Sequence, residues 1–230
     1  MRARQPRTET REQTHARVAK KRTADLAAWS KIKANGGLGD QVTRRDVESI
    51  LIGLGFRKRR GDGESLFVKE LEDRFYTIWI RLKTFGESEV YAPSQHLYVS
   101  ASLATHVYRD VEAEIMGGSA SMNATMGGLD QRKFVDYVLT KEAVTLAFES
   151  IQADLDAIDP DNILAKFRTY GTERAGSAGP RFLAALAIAG DIDTLDGFVR
   201  RRMDGDSCGF MPFITDDMIL RAARIGHRNG

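Results

Sequence analysis

The chain has 230 residues, 42% apolar and 29% charged, which is enough for a hydrophobic core and excludes global disorder. No apolar run approaches the roughly 18 residues of a membrane span, and the N-terminal stretch lacks the apolar segment of a secretory signal. A single cysteine, Cys208, excludes an internal disulfide framework and points to a reducing, cytoplasmic setting.

The net charge of +2 is unevenly placed. Residues 1–22 hold eight Lys or Arg against Glu9 and Glu12, a net of +6, so the remainder carries −4. Such an arm, including Arg17, Lys20, Lys21 and Arg22, is drawn to polyanions. The alternative is a solvated extension that touches nothing. It has no apolar stripe, so no membrane partner is expected.

From Arg11 to Ala34 the composition predicts a helix. Leu26, Trp29 and Ile32 in its second half should dock on the body while the first half projects. The glycine-rich Asn35–Asp40 stretch stops it. Thr43 and Asp46 form a capping box for the next helix, which buries Val47, Ile50, Leu51 and Leu54 and ends at Gly55.

The period then changes to two. Phe56–Arg60, Leu66–Leu71, Arg74–Lys83 and His96–Leu103 read as four strands, with a hairpin turn at Gly61-Asp62-Gly63. Tyr76, Ile78, Ile80 and Leu82 alternate with Thr77, Trp79, Arg81 and Lys83. Leu97, Val99, Ala101 and Leu103 alternate with His96, Tyr98, Ser100 and Ser102. One wet face implies an antiparallel sheet.

Gly117–Gly128 lacks periodicity and reads as a loop. A long helix follows from Thr140 to Ile158, with a seam of Val144, Phe148, Ile151, Leu155 and Ile158, and Pro160 ends it. Helices are then expected at Ile163–Tyr170, Pro180–Ala189, Ile192–Met203 and Thr215–His227. The fold class is α+β: a roughly four-stranded antiparallel sheet flanked by helices, with a helical C-terminal third. The expected units are a basic arm and helix (1–34), an α+β core (35–158) and a helical subdomain packed on it (159–230).

Catalytic motifs are wanting. The four histidines have no metal-ligand spacing. Asp204, Asp206, Cys208 and Gly209 imitate a calcium loop, but position twelve is Thr215 where a glutamate is required. Cys208 could act as a nucleophile only with a histidine beside it in space. No cofactor or metal is expected.

Two charged clusters remain. Glu149, Asp154, Asp156, Asp159 and Asp161 crowd the end of the long helix, where negative charge opposes the helix dipole. They are candidates for docking a basic partner, a second copy of the chain included. Arg57, Lys58, Arg59 and Arg60 form a second basic run, followed by Phe67, Phe75, Tyr76 and Trp79. Basic and aromatic residues on one sheet would suit single-stranded nucleic acid, but core packing explains these aromatics more simply.

Leu54-Gly55-Phe56-Arg57-Lys58, a helix running into a strand and a short meander, loosely resembles small bacterial α+β proteins of unknown function, some thought to act as immunity proteins. The resemblance covers residues 43–104 and implies a non-catalytic binding role. The leading expectation is a cytoplasmic protein-binding module of immunity, adaptor or chaperone type, using the acidic helix end and the wet sheet face. The alternative is a nucleic-acid-associated protein held by the basic arm and the Arg57–Arg60 run.

Overall fold

Alternating apolar residues build a five-stranded antiparallel sheet in the order β1-β2-β3-β4-β5, each strand paired with its sequence neighbour. The computed structural model describes residues 10–35, 41–61, 64–118, 124–174 and 176–230. Their elements are α1 (Arg11–Ala34), α2 (Arg44–Gly53), β1 (Arg57–Gly61), β2 (Glu64–Glu70), β3 (Arg74–Phe85), β4 (Ser94–Thr105), α3 (His106–Met116), β5 (Gly127–Asp136), α4 (Lys141–Asp156), α5 (Pro160–Arg168), α6 (Ala178–Ile188), α7 (Ile192–Met203) and α8 (Asp216–Asn229). The α+β class and the helical C-terminal third are as expected. The stretch at 36–40 and the turn residues Asp62 and Gly63 lie outside the described residues.

The sheet has one more strand than the sequence patterning indicates. Residues read as the end of a loop, Gly127 and Gly128, instead open β5 against Leu103 and Ser102. A Cβ on Gly128 would sit 3.0 Å from the Ala101 carbonyl oxygen, so glycine here permits close approach of two backbones. Helix α3 also goes unannounced, because it follows β4 without any break. Thr105 ends the strand and its hydroxyl caps the helix, accepting the Tyr108 N–H at 3.1 Å. The His106 ring is fixed beside it, with Nε2 3.0 Å from the Leu71 carbonyl oxygen. Pro160 begins α5 as its first residue instead of terminating α4, which stops at Asp156.

Each face of the sheet has its own core. On the inner face Phe67, Tyr76, Ile78, Leu97, Val99 and Leu103 meet Val47 and Leu51 of α2 and the Val144–Phe148–Ile151–Leu155 seam of α4. On the outer face Leu66, Val68, Phe75 and Ala104 meet Tyr108 and Ile115 of α3, together with α5 to α8. This outer cover is partial. Along β3, Phe75 and Thr77 are buried, Trp79 is half-buried, and Arg81, Lys83 and Phe85 are exposed.

At the uncovered end one polar side chain pins the inner layer. Gln95 is 1% exposed. Its amide donates to the Val42 carbonyl at 2.8 Å and to Thr84 Oγ1 at 3.3 Å, while Oε1 accepts the Leu139 N–H at 3.0 Å. The chain segments leading into α2 and α4 are thereby tied to one residue of β4. Gln95→Ala strands a buried carbonyl and a buried N–H, so urea denaturation should show a loss of about 2–3 kcal/mol; a change below about 0.5 kcal/mol would refute the clamp.

Candidate functional site

Register places the exposed cations of β3 and β5 on either side of β4. Arg81 of β3 pairs with Tyr98 of β4, and Tyr98 with Lys133 of β5. In the next row outward, Lys83 pairs with His96 and His96 with Val135, and Phe85 pairs with Ser94 beyond them. Among the described residues no carboxylate is paired at these positions. Strands lie about 4.8 Å apart, so Arg81 and Lys133 flank Tyr98 from its two sides.

The aromatic rings hold these cations in place. The Arg81 guanidinium lies 5.0 Å from the Tyr98 ring centroid and the Lys133 ammonium 5.5 Å from it. Each such contact is worth about 0.5–1 kcal/mol at an exposed site and restricts a long side chain. The His96 ring lies 4.8 Å from that of Phe85, tilted by 53°, and its Nε2 is 3.2 Å from Ser94 Oγ. Phe85 and Val135 remain 46% and 51% exposed, an apolar fringe around the charges.

Helix α1 extends the same surface. Its second half docks as expected, through half-buried Leu26, Trp29 and Ile32, with the Tyr137 hydroxyl donating to the Asp25 carbonyl at 3.3 Å. The first half is almost wholly exposed. A groove of about 410 Å³ between helix and sheet is lined by Lys21, Arg22, Tyr91, His96 and Val135, with the carboxylates Asp25 and Asp136 also in its wall. The Arg22 guanidinium sits 4.6 Å over the Tyr91 ring. Arg17 and Lys20 lie on the exposed half, and residues 1–9 are outside the described residues.

The basic run of β1 divides by strand alternation. Arg57 and Arg59 are exposed and pair with Val68 and Leu66, residues of the outer face. Lys58 falls on the inner side, where it bonds Glu48 at 2.7 Å. Arg60 belongs to β1, and its side chain is outside the described set. Phe67 and Tyr76 are inner-core residues and Phe75 lies beneath the helical cover, so only Trp79 of those four aromatics borders the open face.

The acidic cluster is rearranged by the helix boundaries. Asp159 caps α5, accepting the Asp161 N–H at 2.9 Å and the Asn162 amide at 2.7 Å, and Asp161 sits in the first turn. At that positive helix end carboxylates are stabilising, so the expected conflict with the dipole does not arise for these two. Asp154 pairs with Arg132 at 2.5 Å, and Asp156 accepts the Tyr76 hydroxyl. Burial, then this bond to the carboxylate, pushes the Tyr76 phenol well above its ordinary range. Glu149 is exposed on α4.

The residues weighed for catalysis stay apart. His96 and His106 stand at opposite ends of β4. The Cys208 thiol is buried, pointing at the Phe198 and Asp206 carbonyl oxygens at 3.6 Å, and burial pushes its pKa up, away from a reactive thiolate. Asp206 accepts the Cys208 N–H and pairs with Arg201. Among the described residues no cluster of three His, Cys, Asp or Glu could hold a metal ion.

His96 registers the potential of the open face. Burial first, then Lys133 and Lys83, lower its pKa below 6.5. A lowered histidine pKa favours the fold while the ring is neutral, and that advantage is lost as pH falls from about 6.5 through the folded-state value. Replacing Lys83 and Lys133 by Gln should move the His96 titration midpoint upward in NMR spectra. An unmoved midpoint would show that the two ammonium groups do not act there.

No curated protein and no solved structure matches the chain. A family model does match, over residues 43–226, a span that takes in every strand of the open face and leaves out α1. No described helix is long and apolar enough to cross a membrane. The chain belongs to the family described as "Family of unknown function (DUF6990)".

Proposed function

We propose that the protein binds single-stranded nucleic acid by its phosphate backbone, through the open end of the outer sheet face and the adjoining side of α1. One observation carries this reading: Arg81, Lys83 and Lys133 converge from two strands around His96 and Tyr98, with no paired carboxylate among the described residues to neutralise them. Lys21 and Arg22 continue it along the groove, while Arg57 and Arg59 of β1 lie on the same sheet face but level with Thr77 and Trp79, apart from this cluster.

Phosphate contacts hold a nucleic acid in register without reading its bases. Tyr98 supports that division of labour. Its ring is flanked by cations, so it positions guanidinium and ammonium groups and leaves little free ring surface for a base. Phe85 and Tyr91, about half exposed and contacted by His96 and Arg22 respectively, lie at the fringe, where unpaired bases of a single strand can stack. The acidic residues offer less support for a basic protein partner, because Asp154, Asp156 and Asp159 already have partners within the chain.

Affinity for a fluorescent single-stranded 20-mer should fall steeply with salt. Each lost phosphate contact should flatten the slope of log K against log salt by about 0.7. The triple variant Arg81→Gln, Lys83→Gln, Lys133→Gln should therefore bind more weakly, with a slope shallower by about 2. Polyanion binding should also raise the His96 pKa, so affinity should increase as pH drops from 7 toward 5.5 or so, reflecting proton uptake. Salt-insensitive binding, or a triple variant indistinguishable from the parent, would refute the proposal.

A further inference from the structure

Away from the basic face, over the covered end of the sheet, α3 and the start of α6 border an open cavity of about 590 Å³. That volume falls within the range of small-molecule sites, roughly 300–1,000 Å³. Its wall is mainly apolar, with Ala113 and Met116 from α3, Ala124, Pro180 and Phe213. Met116 and Phe213, at 54% and 44% exposed, leave large apolar surfaces in water.

The charged groups in the wall are Arg109, Arg181 and Glu112, so cations outnumber carboxylates. Glu112 is engaged, accepting the buried Tyr108 hydroxyl at 2.9 Å. Arg109 bonds Asp110 at 2.9 Å and lies 5.6 Å over the Phe75 ring. Arg181 differs. Its guanidinium lies 5.6 Å from the Phe167 ring and donates to the Tyr108 hydroxyl, while its Nε is buried with no hydrogen-bond acceptor. Among the described residues no carboxylate stands within ion-pair distance of it. The Nε is closed off from the cavity, but the rest of the guanidinium lines the wall, and a ligand carboxylate would supply its missing counter-charge while an apolar chain covered the wall.

We infer that this cavity binds an apolar organic monoanion, its carboxylate on Arg181 and its hydrocarbon body against Met116, Pro180 and Phe213. The inference concerns a different surface from the proposed nucleic-acid face and stands or falls separately.

The test is isothermal titration of the full chain with decanoate, and with decanol as the same chain lacking the charge, both below their aggregation limits. Decanoate should bind, and at least tenfold more tightly than decanol. Arg181→Gln should erase that preference. Ala113→Phe, which fills the cavity and leaves Arg181 in place, should abolish binding of both probes while circular dichroism shows the fold retained. Absence of decanoate binding overturns the inference. So does equal affinity for the two probes, or unchanged decanoate binding by Ala113→Phe. The comparison of probes on the parent chain needs no variant, so poor folding of Arg181→Gln would not shelter the inference.

Discussion

The direct passage of β4 into α3 sets the shape of the molecule. With Thr105 ending a strand and capping a helix, there is no loop to carry the chain elsewhere, and α3 must leave from that end of the sheet. Helices α6 and α8 pack on α3, and α5 and α7 pack on them. The outer cover is consequently confined to the half of the face around Phe75 and Ala104. The inner face has no such constraint, since α2 and α4 come from chain segments tied to the opposite end of the sheet by Gln95.

This asymmetry explains why one strand can serve two environments. Along β3 the outer residues run from Phe75 and Thr77, through Trp79, to Arg81 and Lys83, a gradient from core to water that follows the edge of the helical layer. Burial of Phe75 and its neighbours contributes the apolar free energy, about 25 cal/mol per Å². The charged end adds little to stability, because exposed cations near one another repel. Its arrangement is more readily understood as serving a ligand.

Much of the fold could be read from the chain, where pattern and local chemistry agree. The Val144–Phe148–Ile151–Leu155 seam, the Thr43–Asp46 capping box and the alternation of β3 and β4 each depend on residues only a few positions apart. What escaped depends on distant pairing. Strand β5 begins with two glycines whose use becomes clear only in the fold, Gly128 beside the Ala101 carbonyl and Gly127 against Ile163, and it carries few apolar residues to announce it or its Lys133. Arg81, Lys83, His96 and Tyr98 were already visible on the polar sides of their strands; only register shows that Lys133 completes the cluster. The relation of the acidic cluster to the helix dipole differs from the sequence reading for a related reason. Asp159 and Asp161 belong to the beginning of α5 and not the end of α4, and moving them by one turn reverses the sign of their interaction with the helix.

Gln95 and His96 are consecutive residues of β4, one pinned inside and the other facing the cations. Fraying of this strand end would release the amide and displace the imidazole together. Local opening of the basic surface is thereby coupled to loosening of the layer beneath it, as a single cooperative unit. A ligand that immobilises the outer residue would protect the inner amides from solvent exchange without touching them.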